Sequence, residues 1–403
     1  MKSERIPVKS FSADNGFIGK MQKLVREEVL PYQYNILNDA IPGIEKSHAI
    51  ENIRLAAEKL RGKDVKPDEF YGMVFQDSDV AKWIEAAAYA LAAGEDPELE
   101  KAVDETIQLY GASQHEDGYV DSYFTVKCPD KMWTNICDAH ELYCAGHMME
   151  AAVAYYEVTG KRELLDIMSK SADCIYEQFM KKNTRAYPGH PEVELALMRL
   201  WRATGNEKYK ELAKHFVDVR GQAPNYFVEE KKNRGWNVWD GTEELNTDYT
   251  QSTLPVREQK DAVGHAARAV YLYTGMADVA KETQDETLLA ACRNLWESIT
   301  KRRMYITGGI GSTFMGEAFT VDYDLPNDTV YAETCASIGL MFFAKKMLEN
   351  EHRGEYADVM ERAFYNTVLA GMQLDGKRFF YVNPLEVVPG ISGKAVTHRA
   401  VLP

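Results

Sequence analysis

Residues 139–160 read AHELYCAGHMMEAAVAYYEVTG. The run is alanine-rich and apolar until it closes on Thr159-Gly160. Glycine just past the last turn supplies the left-handed residue that stops a helix. A charged helix begins again near Arg162, so the stretch predicts one arm of a helical hairpin. The pattern returns at 190–203, which ends on Thr204-Gly205, and at 265–273, which ends on Thr274-Gly275. Hairpins in series mean a repeat architecture. Proline and glycine punctuation along the chain extends the pattern to about six hairpins, or roughly twelve helices. Six hairpins can close into a ring with the first helix of each lining a central cavity.

Outside the repeat the same helical spacing holds. Residues 17–37 place Ile18, Met21, Val25, Val29 and Leu30 on one face, and 49–60 continue in the same manner. Asp77-Ser78-Asp79 offers an N-cap for a helix over 80–92, whose Ala86, Ala87, Ala88 and Ala90 permit close packing. Pro97 marks a helix start, with that helix running to about Gln114. Strand patterns are nearly absent until RFFYVNPLEVV at 378–388, a short β segment near the C-terminus. The expected division is a helical domain over 1–374 and the start of a β region over 375–403.

The balance of 62 acidic against 47 basic residues leaves a net charge of −15. Such a surface repels phosphates, so neither nucleic acid nor an anionic membrane is an expected partner. No apolar run approaches the ~18 residues that span a bilayer, and no apolar core follows the basic residues of MKSERIPVKSFSADNGF. Six scattered cysteines with no C-x-x-C suit free thiols in a reducing compartment. A cytoplasmic location is the expectation.

Chemistry-bearing residues collect in 304–337, MYITGGIGSTFMGEAFTVDYDLPNDTVYAETCAS. Gly308, Gly309 and Gly311 allow a turn, and Glu317 follows beside Phe314 and Phe319. An apolar neighbourhood would raise the Glu317 carboxyl and keep it protonated, as a general acid requires. The plainer reading is a solvated loop glutamate. Glu333 and Cys335 stand two apart at a helix start, and carboxylate and thiolate are both zinc ligands. Two ligands do not complete a site, and a lone Cys335 reads equally as a small buried hydrophobe. His140, Cys144 and His147 share a helix face, either as a metal trio or as a cavity lining. His140, His190 and His265 each open a hairpin helix, which points to one rim. The TGGIGS run lacks the Gly-Lys-Ser/Thr ending of a phosphate loop. Two long polar segments, at 117–133 and 225–255, carry Trp236, Trp239 and Asp240. Aromatic faces with carboxylates and amides suit a carbohydrate.

Taken together, MVFQDSDVAKW (73–83), residues 139–160, GHPEVELAL (189–197), GHAARAVYLYTG (264–275), RRMYITGGIGST with GEAFTVDYDLPNDTVYAETCAS (302–337) and GKRFFYVNPLE (376–386) resemble glycoside hydrolase family 127, the β-L-arabinofuranosidase family. The resemblance implies an all-α (α/α)6 barrel followed by β-sandwich domains. It implies a retaining hydrolase of β-L-arabinofuranosyl oligosaccharides whose nucleophile is a zinc-bound cysteine thiolate. Glu317 in GEAF matches the acid/base, Glu333 and Cys335 in ETCAS match two zinc ligands, and His140, His190, His265 and Tyr381 match sugar-pocket positions. A homodimer is an expectation for the full-length form.

The family's other two zinc ligands are adjacent cysteines in a Cys-x-Cys-Cys-Pro motif, one of them the nucleophile. This sequence ends at Pro403 and holds no Cys-Cys pair. The expectation is therefore a C-terminally truncated chain with much of the pocket, a half-built zinc site and no turnover. The segment 41–46 is shorter than the family's sugar-reaching loop. Two other readings stand beside this one: a non-catalytic sugar-binding pseudoenzyme, and an (α/α)6 epimerase or lyase working through histidines.

Overall fold

The computed structural model describes residues 6–389, apart from 12, 14, 15, 183, 240–244 and 388. The described chain is all-α. Six helix pairs follow one another: Phe17–Leu37 with Ala49–Leu60, Asp77–Ala93 with Pro97–Ala112, Glu141–Thr159 with Glu163–Tyr176, Val193–Thr204 with Glu207–Val219, Ala266–Thr283 with Glu286–Ser298, and Thr334–Glu351 with Gly354–Ala363. The hairpin repeat expected from the Thr-Gly stops is thus present. None of the described helices is long and apolar enough to cross a membrane.

The chain divides into two compact units. One comprises residues 1–184, 199–212 and 234–241; the other comprises 185–198, 213–233 and 242–403. Within the first, the helix Asp77–Ala93 packs along Glu141–Thr159. Both are buried on nearly every side, with Val80, Ala81, Ile84, Ala87, Ala88, Met148, Ala151 and Val153 wholly shielded. Within the second, Ala266–Thr283 packs along Thr334–Glu351 in the same way. First helices of successive hairpins therefore meet each other. Second helices such as Glu163–Tyr176 and Glu286–Ser298 bury one stripe (Leu164, Leu165, Met168; Leu288, Cys292, Leu295) and turn charge outward. Burial on all sides against burial on one side is what distinguishes the two arms.

Some local expectations are corrected. Gly160 (φ 78°) and Gly205 (φ 72°) do end their helices, but Thr274-Gly275 does not. The helix Ala266–Thr283 runs straight through it and ends before Gln284 at φ 56°. A Cβ on Gly275 would lie 2.9 Å from Glu194 Cβ, so this glycine serves close packing rather than termination. Asp77 is not a cap: it sits inside the helix, and its carboxylate instead accepts from the Ser122 amide and hydroxyl. The helical run expected over 17–37 is present, with a π-helical turn at Val25–Val29 joining Phe17–Leu24 to Leu30–Leu37. The polar segments carry helices of their own, Ser122–Lys127 and Tyr226–Asn233.

Trp236 is a packing residue, bonded through Nε1 to Thr134 Oγ1 and set against Phe124. Asp240 lies outside the described residues, as do Val388 and 390–403. The short β segment appears as single bridge pairs, Met372 with Phe379 and Glu333 with Val382.

Candidate active site

Three segments of the second unit converge on Glu317. The first is the start of the helix Ala266–Thr283. Gly264 (φ 69°) precedes it where a Cβ would stand 2.0 Å from the carbonyl oxygen of Asp248. Only glycine lets the chain pass so close to 248–249, and the Tyr249 carbonyl then accepts from the His265 amide. His265 caps the helix, with Nδ1 accepting from the Arg268 amide at 3.3 Å.

The second segment is the glycine turn. Gly308 (φ 90°) packs against the backbone of Ala363, and Tyr305 pairs with Gly309. The chain returns through Glu317, itself at φ 52°, a left-handed conformation that is strained for a glutamate. The amide of Phe319 donates to the Gly264 carbonyl at 2.9 Å, which locks this turn to the His265 segment.

The third is the start of Thr334–Glu351. Ala332 is again left-handed, at φ 43°. The Thr334 amide donates to the Tyr381 carbonyl at 2.9 Å, and Asn383 donates to the Ala332 carbonyl at 2.8 Å. The bridge pairs of the C-terminal run thus carry Tyr381 to Glu333.

At the centre, Glu317 Oε1 accepts from Tyr331 Oη at 3.0 Å. Its Oε2 accepts from Tyr381 Oη at 3.3 Å and meets His265 Nε2 at 3.0 Å. A backbone amide only donates, so His265 Nδ1 carries no proton in its bond to Arg268. The proton therefore sits on Nε2 and points at Glu317. Burial pushes the Glu317 carboxyl up, but the bonds from His265, Tyr331 and Tyr381 outweigh it and hold it below the usual range. This corrects the expectation of a carboxyl kept protonated by apolar neighbours. Phe314 is 45% exposed and offers little cover; polar donors, not phenyl rings, set the state of Glu317.

Glu333 differs. It is 2% exposed, burial pushes its carboxyl up, and its Oε2 is shielded with no hydrogen-bond partner. The Cys335 thiol and Tyr381 hydroxyl reach the same carboxylate. His265, Glu317 and Glu333 bring one ligand atom each within 4.8 Å. His265 Nε2 and Glu317 are already joined by a proton, so we read that trio as a hydrogen-bond cluster. The ligand atoms left for a metal are the unpartnered Glu333 oxygen and the neighbouring Cys335 sulfur, at the start of the helix Thr334–Glu351. A hard oxygen beside a soft sulfur suits zinc. The residues present therefore fit that metal as two of its ligands.

His190 joins the cluster, its ring 5.7 Å from that of His265 and 6.0 Å from that of Tyr271. Of the residues singled out from sequence, Glu317, Glu333, Cys335, His190, His265 and Tyr381 all belong to this unit. His140 belongs to the other unit, left-handed at φ 60° ahead of Glu141, beside Phe75 and Tyr143. His140, Cys144 and His147 do not gather as a metal trio; Cys144 is buried, and burial pushes its thiol well up. Sequence reasoning missed Tyr331, Tyr249 and Arg268. Tyr331 lies two residues before Glu333 and carried no signal beyond that proximity.

The family profile described as β-L-arabinofuranosidase, GH127 catalytic domain, matches residues 12–398. A non-reducing-end β-L-arabinofuranosidase of Bifidobacterium longum subsp. longum is 44% identical over 384 residues, covering 90% of this chain and 57% of that protein. The crystal structure of a GH127 β-L-arabinofuranosidase from Geobacillus stearothermophilus T6 superposes with a TM-score of 0.91 at 55% identity, covering 97% of this chain and 60% of that one. A cellobiose 2-epimerase from Bacillus thermoamylovorans B4167 shares the fold alone, with a TM-score of 0.50 at 11% identity over 91% of each chain. The fold class is the (α/α)6 barrel. The chain spans little more than half the length of the β-L-arabinofuranosidase relatives it matches.

Proposed function

This chain belongs to the GH127 β-L-arabinofuranosidase catalytic-domain family, and from that premise we propose that it is the sugar-binding and proton-transferring part of a retaining glycoside hydrolase acting on β-L-arabinofuranosyl oligosaccharides. One observation carries the reading: Glu317 is an anion held by three donors, His265, Tyr331 and Tyr381, beside a buried carboxylate and a thiol.

Retaining hydrolysis proceeds in two displacements. In the first, the acid/base gives a proton to the departing glycosidic oxygen. In the second, as a carboxylate, it takes a proton from water. Glu317 is proposed for both transfers: its resting anion is the form the second requires, and for the first it must take up a proton from solvent before giving it to the glycosidic oxygen. Tyr331 and Tyr381 hold the carboxylate in place from two sides, and His265 holds Oε2. His190 is proposed as a partner for sugar hydroxyls.

Glu333 and Cys335 would hold zinc, which when bound keeps a ligating thiol deprotonated and nucleophilic at neutral pH. No two of the six cysteines are adjacent in the sequence. Cys335 is thus the one sulfur this chain is proposed to bring to the metal, and binding without turnover is expected of it alone.

The test pairs calorimetry with a chromogenic β-L-arabinofuranoside, both with zinc present. L-Arabinose should bind, and Tyr381→Phe or Glu317→Ala should weaken it by about tenfold or more. Turnover by this chain alone would refute the need for further sulfur ligands. Absence of sugar binding would refute the reading altogether.

A further inference from the structure

We propose that Arg268 is a positioning residue of the candidate active site, a buried guanidinium that ties the His190 segment to the ring against which the Glu317 turn rests. The inference rests on the reading of that site given above and adds a residue that acts only through others. Physical chemistry alone would not put a cation there. Arg268 stands in the first turn of Ala266–Thr283, where the helix dipole disfavours positive charge, and it is 5% exposed. Arginine is almost never so buried unless its guanidinium is engaged.

Its contacts lead to the site. Nη1 donates at 3.2 Å to the carbonyl of Gly189, the residue before His190. The guanidinium carbon lies 4.8 Å from the centroid of the Tyr249 ring, a cation–π contact. On Gly316, which precedes Glu317, a Cβ would stand 3.2 Å from two atoms of the same ring. The amide of Arg268 is the donor to His265 Nδ1. One residue thus reaches His190 through Gly189, the Glu317 turn through Tyr249, and His265 through its own main chain.

What it holds is a pair of neighbouring histidines in opposite tautomers. His190 Nδ1 lies 2.9 Å from the Pro191 carbonyl, which only accepts, so the proton of the neutral ring is on Nδ1 and Nε2 is the acceptor. His265 carries its proton on Nε2 and gives it to Glu317. A sugar hydroxyl that donates to His190 therefore needs that ring at a set distance from Glu317. Arginine suits the task because a planar fork donates in its plane to a carbonyl while its face lies on an aromatic ring; a lysine ammonium is a point charge with no face. The fold has a second clasp. Arg220 donates to the carbonyls of Thr250, at 2.8 Å, and Pro188, each one residue along from a contact of Arg268, and it pairs with Glu194 at 3.5 Å. That clasp keeps the two stretches together without Arg268, which leaves to Arg268 the finer placement of His190.

The test uses the full chain labelled with 15N-histidine, and calorimetry with L-arabinose well below the unfolding midpoint. Arg268→Lys keeps the charge but not both contacts. It should bind L-arabinose about tenfold more weakly, and the ring signals of His190 should move. His265 should keep the signature of a proton on Nε2, because the amide of residue 268 remains. Tyr249→Leu, which takes the ring from beside the guanidinium and leaves Arg268 in place, should move the His190 signals as well, and it reads the same link should Arg268→Lys fail to fold. His190 signals unmoved in folded Arg268→Lys would overturn the proposal, whether the unfolding midpoint falls or not, since a residue that only packs changes the midpoint alone. Signals moved by Arg268→Lys but not by Tyr249→Leu would overturn the link between the two segments. Failure of the parent chain to bind L-arabinose would count against the reading of the site, while the histidine signals would still decide the role of Arg268.

Discussion

Glu333 shows how one residue can be set against the stability of the fold. Its carboxylate is buried, and one oxygen finds no donor. Removing the charge while keeping the shape, as Glu333→Gln does, should raise the midpoint of thermal unfolding of the metal-free chain, with a gain on the order of 1 kcal/mol. The same variant should bind zinc more weakly than the parent in a competition titration. A loss of stability together with unchanged zinc affinity would assign Glu333 an ordinary structural role. Gly264 is constrained in the opposite sense, by space. A Cβ there would meet the carbonyl of Asp248, which is backbone and has no rotamer to yield. Gly264→Ala should therefore cost on the order of 3 kcal/mol or more in urea unfolding, whereas Gly160→Ala, with nothing within 4 Å of its Cβ, should cost only its left-handed strain.

Among the helices, the start of Glu286–Ser298 gives a test with a definite pH sign. Asp285 caps it by accepting from the amides of Thr287 and Leu288, and it pairs with Arg257 at 2.7 Å. Burial pushes the Asp285 carboxyl up, but the Thr287, Arg257 and Leu288 bonds outweigh it and hold it well below the usual range. A depressed carboxyl stabilises the fold above its unfolded pKa of about 3.9 and loses that contribution as pH falls toward the folded value. Asp285→Ala should thus cost about 1–2 kcal/mol at pH 7. The gap between variant and parent should close below about pH 4. A gap independent of pH would mean that the residue acts through packing and not through its charge.

For the molecule as a whole, each compact unit has its own core of mutually packed first helices, while apolar side chains remain outside it in the loops. Ile306, Val321 and Tyr323 are 82%, 73% and 72% exposed. Exposed apolar groups of this size promote association. Sedimentation velocity at micromolar concentration should show self-association that Ile306→Glu with Val321→Glu reduces; a monomer for both proteins would contradict this.

How far these features were legible depended on how local their cause is. The Thr-Gly stops at 159–160 and 204–205, the proline start at Pro97 and the alanine-rich first helices are written in neighbouring residues, because capping and side-chain periodicity act within a few positions of the chain. From them the hairpin repeat follows without coordinates. The motifs around Glu317, Glu333, Cys335, His190, His265 and Tyr381 were likewise visible as residue types in unusual company. The ionisation of Glu317 was not, since its three donors come from positions 265, 331 and 381, and no spacing rule links them. Thr274-Gly275 misled for the same reason: whether a glycine ends a helix or admits a neighbouring one is decided by Glu194, far away in the chain. Local chemistry determined which helices form; only packing across the fold decided which side chains meet and what charge they carry there.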